Sequence, residues 1–359
     1  IRKKIADSLR FTEEEFNQKL SVRKEDFEIL SEYRDYQRQK DSYLVVRCKK
    51  CGKEDKKTLA NLNNFSLCKY CEPFSKDEKE LCEFLDSKSI KYIKNNREII
   101  KPYELDIYIP EFNLAIEYNG LFWHCTIKKE PNYHLNKTHL CSNKKIQLIH
   151  IYEDEWKLKK DIIKSILSHK FKLNKNIINT RELVLKETVC NSDLRDFFEN
   201  NHISGHTQFM KALYLIDPKN NNEIISALSL RKPFITKYGD GTIEIARFAT
   251  KLNSSVPGAF SRLLKHAKEW ALINNSSKIL SYADLRFGVG DVYAKNDFKL
   301  LESTDANYWY TDFKKRFNRF QYRAQNGLSE KEVAENAGVT KIYGCGSNIY
   351  LLDLKGETN

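Results

Sequence analysis

Four cysteines in two closely spaced pairs constrain this chain most. The pairs are Cys48 with Cys51 and Cys68 with Cys71, and Gly52 follows the first pair. Four thiolates at this spacing close a tetrahedral zinc site that keeps no open coordination position, so the predicted zinc is structural. The chain has nine cysteines in 359 residues, an odd number that favours a reducing compartment over a disulfide framework.

Basic residues surround the cysteine pairs, and two interpretations of them remain open. Lys49 and Lys50 either contact DNA, or they decorate a module whose zinc only holds the fold together. The sequence predicts one helix over 12–30 and a strand over 43–47. The segment resembles the small zinc-ribbon modules that precede nuclease domains in phage proteins.

The chain carries a net charge of +12, spread evenly along its length. This excess favours a polyanion such as nucleic acid as partner, although a basic protein without such a partner remains an alternative. No run approaches roughly 18 apolar residues, so we expect no transmembrane helix and no membrane partner. The first thirty residues contain no apolar signal-peptide core, and we expect a cytoplasmic location. The sequence does not indicate an oligomeric state.

Two runs of alternating apolar residues predict a β-hairpin that carries paired carboxylates. Residues 103–109 and 114–120 each alternate with the period of a strand. The intervening turn places Asp106 opposite Glu117, with Cβ atoms about 5 Å apart. Like charges at that separation need a proton or a cation between them, and Mg²⁺ or Mn²⁺ accepts such oxygen ligands. The alternative is a strand face whose carboxylates point into solvent.

A helix is predicted just before this hairpin. Ser75 and Glu78 have the spacing of a capping box, and apolar residues at helical spacing follow over 76–88. Glu78 is therefore either the capping partner of Ser75 or a metal ligand.

The residues around the hairpin resemble a nuclease family. A helix followed by a hairpin with Asp106 and Glu117 resembles the PD-(D/E)xK nuclease core. From Glu117 the chain reads Glu-Tyr-Asn-Gly-Leu-Phe-Trp-His to His124, and residues 146–156 end in Tyr-Glu-Asp-Glu-Trp. These motifs resemble the very-short-patch-repair (Vsr) endonucleases and the Vsr-like homing endonucleases of phages, over about residues 75–168.

The resemblance implies hydrolysis of DNA phosphodiester bonds, with catalytic Mg²⁺ or Mn²⁺ held by Asp106 and Glu117. Phe122 and Trp123 would wedge against DNA bases. The usual core lysine is replaced by Asn119, so the sequence predicts that no ammonium stabilises the transition state and that a histidine titrating near neutrality activates water. The catalytic residues that the resemblance assigns are Asp106, Glu117, His124, Glu78, Asn119 and His134.

The interpretation of two histidines stays open, and a third is interpreted as structural. His134 and His139 flank a predicted helix and are either functional or ordinary surface residues. His150 lies in a buried-looking strand and is interpreted as structural.

A Lys/Asn-rich connector over 169–182 leads to a second α/β segment. There the loop 253–259 opens a helix over 260–272, and a strand, a small-residue loop and a helix N-terminus form an anion cradle. This order resembles the GNAT acyltransferase fold, which implies coenzyme A at Val256, Gly258 and Ala259. Pro257 removes one amide donor from that cradle.

An arginine-rich segment near the C-terminal end alternates with aromatic residues. It suits a DNA strand by charge and stacking, or it is an amphipathic helix with solvated arginines. The arginines are Arg316, Arg319 and Arg323, interleaved with Phe317, Phe320 and Tyr322.

Together these features predict an α/β multi-domain chain with a four-cysteine zinc ribbon, a Vsr-like nuclease core with a mixed sheet, and a GNAT-like α/β domain. The predicted function is a metal-dependent DNA endonuclease of homing type, encoded by a phage or mobile element, with duplex DNA as partner. The alternatives are an acyltransferase that uses acetyl-CoA on DNA or a DNA-bound protein, and a non-catalytic DNA-binding regulator. The predicted domains are 1–73, 74–168, a linker at 169–182, and 183–359.

Overall fold

A computed structural model describes residues 11–21, 26–36, 42–59, 62, 68, 76–174, 176–234 and 236–354. The chain divides into two compact units, residues 1–89 and residues 90–359. Both units combine helices with strands, so the predicted mixed α/β class with several sheets is confirmed. The domain limits predicted from the sequence stay predictions.

The first unit contains a small antiparallel sheet. Its elements are α1 (Glu13–Ser21), β1 (Phe27–Ile29), β2 (Tyr43–Cys48), β3 (Glu54–Thr58) and α2 (Lys76–Ser87), and the sheet order is β1-β2-β3. The sequence predicted one helix over 12–30, but α1 ends at Ser21. Phe27 is buried while Glu28 is exposed, and this alternation belongs to a strand rather than a helix. Phe16 of α1 packs with Leu44 and Val46 of β2 in the core.

The second unit begins with a four-stranded sheet. The elements here are β4 (Ile93–Asn96), β5 (Leu105–Ile109), β6 (Leu114–Asn119), α3 (Tyr133–Asn143), β7 (Gln147–Tyr152), α4 (Glu153–Leu158) and α5 (Lys160–Lys170), and the sheet order is β4-β5-β6-β7. β5 and β6 are antiparallel with Ile107 opposite Ile116, the register that the apolar alternation predicts. β6 and β7 are parallel, and α3 connects them. Every residue of β6 is buried.

A larger mixed sheet and several smaller elements follow. They are β8 (Asn176–Ile177), β9 (Val184–Thr188), α6 (Arg195–Asn201), β10 (Lys211–Asp217), β11 (Glu223–Arg231), β12 (Thr242–Thr250), β13 (Ser254–Ser255), α7 (Ala259–Ile273), β14 (Lys278–Asp284), α8 (Asp291–Ala294), β15 (Lys299–Ser303), β16 (Tyr308–Thr311), β17 (Arg316–Phe317), α9 (Glu330–Asn336), β18 (Thr340–Tyr343) and β19 (Ser347–Asp353). The large sheet has the order β15-β19-β14-β12-β11-β10-β9. Residues from its strands and from α7 form the main core, among them Leu213, Leu228, Leu263 and Ile279. None of the helices in the described ranges is both long and apolar enough to cross a membrane.

A three-stranded sheet, β17-β16-β18, packs against the end of the four-stranded sheet. Ile342 of β18 forms a β-bridge with Cys125 and is fully buried. The hydroxyl of Tyr152, at the end of β7, donates to the carbonyl of Tyr343 at 2.6 Å. The two sheets are therefore joined by a continuous packed interface.

Buried ion pairs fix this interface. Arg286 donates to Glu155 Oε1 at 2.6 Å and to Asp284 Oδ2 at 2.7 Å. Arg316 donates to Asp154 Oδ1 at 3.0 Å and to Glu155 Oε1 at 2.6 Å. The arginines come from the C-terminal part and the shared Glu155 comes from α4, so the pairs tie α4 to β14 and β17.

Candidate functional site

Three of the four predicted zinc ligands lie together in the first unit. The sulfurs of Cys48, Cys51 and Cys68 all lie within 4.8 Å of one another. The Sγ atoms of Cys51 and Cys68 are 3.7 Å apart, close to the separation of about 3.8 Å for two sulfurs on one tetrahedral zinc. Gly52 turns the chain after the first pair at a φ of 71°. The three thiols can hold a metal ion; Cys71 lies outside the described residues.

The predicted carboxylate pair lies on neighbouring strands of the second unit. Asp106 is on β5 and Glu117 on β6, and the observed register places them opposite each other. Asp106 Oδ2 accepts a hydrogen bond from the backbone N–H of Tyr118 at 2.9 Å, which orients the carboxylate. Glu117 is only 2% exposed. The solvent-facing alternative therefore does not describe Glu117.

A lysine that the sequence analysis did not single out lies beside this pair. Lys137, on α3, is 1% exposed, and its Nζ donates to Glu117 Oε1. The prediction from Asn119 that this site lacks an ammonium is therefore wrong. The lysine comes from α3, the helix that connects β6 and β7, and not from the strand that carries Asn119. Sequence spacing alone gave no reason to expect a site lysine on that helix.

The carboxylates are in an environment that favours bound cations or protons. Burial, and then the charge of Asp106, raise the pKa of Glu117 to about 8, although Lys137 acts in the opposite direction. Burial also raises the pKa of Asp106. Among the described residues, Glu117 Oε2 is one of the few buried side-chain oxygens without a hydrogen-bond partner. One unpaired oxygen beside a second carboxylate fits Mg²⁺, which takes one or two protein carboxylates and completes its shell with water and phosphate.

Two predicted site histidines stack on each other near Lys137. The rings of His124 and His134 are 5.1 Å apart between centroids and nearly parallel. Burial and nearby lysines lower the pKa of His124 to about 3, and burial lowers the pKa of His134 well below its usual value. Both imidazoles are therefore neutral at pH 7, in contrast to the predicted titration near neutrality. His134 is buried, whereas His139 is on the exposed side of α3.

Unsatisfied nitrogens accompany these two rings. Within the described part of the chain, His124 Nδ1 and both ring nitrogens of His134 are buried without a hydrogen-bond partner. Buried polar atoms are normally paired, so this concentration marks a place for water, a metal ion or substrate.

His150 belongs to a hydrogen-bonded network behind the site, in which both of its ring nitrogens are bonded. The Thr138 hydroxyl donates to the carbonyl of His134 at 2.9 Å, so it accepts from His150 Nε2 at 2.8 Å. His150 Nδ1 then accepts from Asn119 Nδ2 at 3.4 Å. With both nitrogens bonded and 0% exposure, the ring holds β6, β7 and α3 together, which agrees with its structural interpretation.

The predicted DNA-contacting residues differ in exposure. Phe122 and Trp123 are 40% and 64% exposed, in the loop that follows β6. Lys49 and Lys50 are exposed in the turn after β2. Glu78 lies in the first turn of α2, and because Ser75 is outside the described residues, its capping and metal-binding interpretations both stay predictions.

The three arginines near the C-terminal end do not lie on one helix. Arg316 is in β17, with a side chain 8% exposed and paired with Asp154 and Glu155. Arg319 begins a short 3-10 helix, and both it and Arg323 are exposed. The Arg316 side chain is therefore used in ion pairs inside the protein. Only Arg319 and Arg323, of the three arginines, remain exposed for the predicted DNA contact.

The proposed acyl-CoA loop precedes α7. Gly258 caps the helix at a φ of 80°, and the Ala259 N–H donates to the carbonyl of Val256 at 3.1 Å. The carbonyl of Pro257 accepts from the Thr180 hydroxyl. The amide of Ala259 is therefore already used within the loop.

A cavity opens where two strands of the large sheet separate. β12 and β14 pair in parallel only from Thr242 to Glu244, although both strands continue. Beyond that point lies a cavity of about 760 Å³, lined among others by Arg247, Tyr282 and Lys170 of α5.

No family model and no curated protein matches the sequence. Among solved structures, the chain is similar to the catalytic domain of the homing endonuclease I-Bth0305I, at 23% identity over 28% of this chain and 96% of that one, with a TM-score of 0.24. It is also similar to a Bacillus subtilis acetyltransferase in complex with CoA, at 15% identity over 48% and 99% of the two chains, with a TM-score of 0.30. A GNAT family acetyltransferase from Elizabethkingia anophelis with acetyl-CoA bound matches at 18% identity over 48% and 99%, with a TM-score of 0.28. These low values assign neither an activity nor a substrate to this chain.

Proposed function

We propose that this chain is a metal-dependent DNA endonuclease that hydrolyses phosphodiester bonds at the Asp106–Glu117 pair. The observation that carries the proposal is a half-buried Asp106 and a buried Glu117 on neighbouring strands, beside the Lys137 ammonium, with Glu117 Oε2 left unpaired. Such a like-charge pair destabilises a hairpin, and strongly shifted pKa values of this kind concentrate at functional sites. The net charge of +12 suits a phosphate backbone.

In this proposal, each part that phosphodiester hydrolysis needs is assigned to a residue of the site. Asp106 and Glu117 would hold Mg²⁺ or Mn²⁺, which when bound polarises the phosphate. Lys137 keeps further N–H donors that can stabilise negative charge developing on the phosphate oxygens. His124, neutral at pH 7 and with an unpaired Nδ1, would orient the attacking water by accepting a hydrogen bond from it.

The first unit would supply target affinity through a structural zinc at Cys48, Cys51, Cys68 and Cys71. The Vsr-like relationship, the phage or mobile-element origin, the bacterial cytoplasm and duplex DNA as substrate belong to the same proposal. Their support is the motif from Glu117 to His124.

A second candidate function is acyl transfer in the C-terminal part. The separation of β12 from β14 and the cavity of about 760 Å³ beside it favour this candidate. Coenzyme A bound at Val256, Gly258 and Ala259 would reach its acceptor there. Retention of coenzyme A after purification, or saturable binding in calorimetry, would support it.

The deciding experiment is cleavage of supercoiled plasmid with Mg²⁺ or Mn²⁺ by the wild type, Asp106→Asn and Glu111→Gln. Glu111 is an exposed carboxylate in the turn of the same hairpin, so its variant is the matched control. We expect the Asp106 variant to lose at least about 100-fold in rate and the control to keep its rate. DNA binding without cleavage by the wild type would reject the endonuclease in favour of the regulator.

A further inference from the structure

Two segments far apart in sequence bring exposed aromatic rings together beside the carboxylate site. Phe122 and Trp123 follow β6, and Phe313 lies between β16 and β17 and is 36% exposed. The ring centroid of Phe122 is 5.1 Å from that of Trp123 and 5.4 Å from that of Phe313. We name these three residues the aromatic patch. A contiguous group of exposed apolar side chains often marks a binding site, whereas single exposed apolar residues are common on any protein surface.

The aromatic patch is bordered by positive charge. The Nζ of Lys128 lies 5.5 Å from the Phe122 ring and 5.9 Å from the Trp123 ring. Lys314 and Lys315 are exposed directly after Phe313. Flat rings with ammonium groups around them are complementary to bases flanked by phosphates.

The backbone holds Phe313 in an unfavourable conformation. Its φ is 67°, a left-handed value that a bulky side chain rarely adopts. The turn is fixed from both sides, because Phe313 N–H donates to the Thr311 hydroxyl at 3.0 Å and the next two amides donate to Asp312 Oδ1. Glycine or asparagine would serve such a turn with less strain. An aromatic ring kept at this position therefore points to a use for the ring.

The turn around Phe313 is tied to the four-stranded sheet that carries Asp106 and Glu117. Directly after it, the backbone N–H of Arg316 donates to Asp154 Oδ2 at 3.0 Å, and the guanidinium bonds the same carboxylate. Asp154 is in α4, which begins where β7 ends, and β7 pairs with the strand of Glu117. The position of Phe313 is thus fixed relative to the carboxylates, with Arg316 as the positioning residue.

We propose that the hairpin formed by residues 311–316 is part of the DNA-contacting surface of the nuclease site. In this arrangement Phe313 joins Phe122 and Trp123 in a wedge against an opened base step of duplex DNA, and Lys314 and Lys315 contact the flanking phosphates. The inference rests on the proposed endonuclease function. It gives the C-terminal part a direct role in substrate binding, at residues other than the predicted arginines.

The test is DNA affinity and cleavage of the full chain with Phe313→Gly. Glycine accepts the positive φ, so this variant removes the ring and relieves the backbone strain. We expect the variant to bind duplex DNA at least about tenfold more weakly than the wild type, because the ring no longer stacks on a base. Its unfolding transition should be retained. Phe234→Ala is the control, because Phe234 is 74% exposed and outside the aromatic patch.

A second variant, Lys314→Gln combined with Lys315→Gln, tests the phosphate contacts without touching the turn. We expect the slope of log affinity against log salt to fall by about 2. Wild-type affinity and salt slope in both variants would overturn the inference while leaving the endonuclease standing. Failure of the wild-type chain to bind DNA at all would overturn both.

Discussion

Replacing Lys137 with methionine should lower the free energy of unfolding, because it leaves the buried Glu117 carboxylate without its ammonium partner. The Lys137 and Glu117 side chains are 1% and 2% exposed, so solvent screens their interaction little. Removing one partner of such a buried pair costs about 3–5 kcal/mol in unfolding free energy. We expect that loss in Lys137→Met at pH 9, where Glu117 is ionised in the wild type.

A proton can replace the lost ammonium at lower pH. The pKa of Glu117 is raised from 4.5 to about 8, so stability linked to this group is complete below about pH 4.5 and is lost as the pH rises through 8. Lys137 is one of the groups that lower this pKa, so the variant holds the proton to a higher pH. We therefore expect the defect to be smaller at pH 6 than at pH 9 by at least about 1 kcal/mol.

The assay is urea unfolding with EDTA present, followed by tryptophan fluorescence. All four tryptophans, at positions 123, 156, 270 and 309, belong to the second unit, so the signal reports on the unit that contains the pair. Glu117→Gln and the double variant complete the cycle, and the double variant should be more stable than Lys137→Met at pH 9. Additive effects of the two substitutions, together with an equal defect at both pH values, would refute the buried ion pair.

Three further outcomes follow from the contacts described. Burial acts to raise the pKa of Glu155, but its two arginine partners outweigh burial and hold the pKa at about 2. This group should therefore contribute roughly 3 kcal/mol to the free energy of unfolding above about pH 4.5, and the contribution should decline as the pH falls through 2. Fluorescence-detected unfolding across that pH range measures the decline. Cys48→Ser should remove zinc from the purified protein, as determined by elemental analysis, whereas Cys190→Ser, at an exposed cysteine outside the cluster, should keep it. Leu263→Ala in the main core should cost about 2–5 kcal/mol in urea unfolding, against less than about 0.5 kcal/mol for Leu272→Ala, where leucine is 48% exposed.

The hairpin register could be predicted because its determinants are local. Period-two alternation in residues 103–109 and 114–120 fixes which side chains share a face, and a short turn fixes the pairing of Ile107 with Ile116. The opposition of Asp106 and Glu117 follows from that register. The spacing of the cysteine pairs was informative for the same reason.

Contacts between distant segments could not be predicted in this way. Lys137 lies on a helix with mixed polar and apolar residues, and nothing in that pattern distinguishes a buried lysine from a solvated one. Arg316 reads as a DNA-binding cation until folding places it against Asp154 of α4. In both cases the partner is a carboxylate on another element, and the sequence does not indicate which elements will meet.

The position of β19 has a consequence for how the chain is made. β19 lies between β14 and β15, so the sheet is completed by a strand that the ribosome produces after every other strand of that sheet. Until it emerges, β14 presents an unpaired edge of backbone groups that other chains can join. A stop codon or protease cut just before β19 should therefore yield an aggregating product rather than a slightly shortened but folded protein.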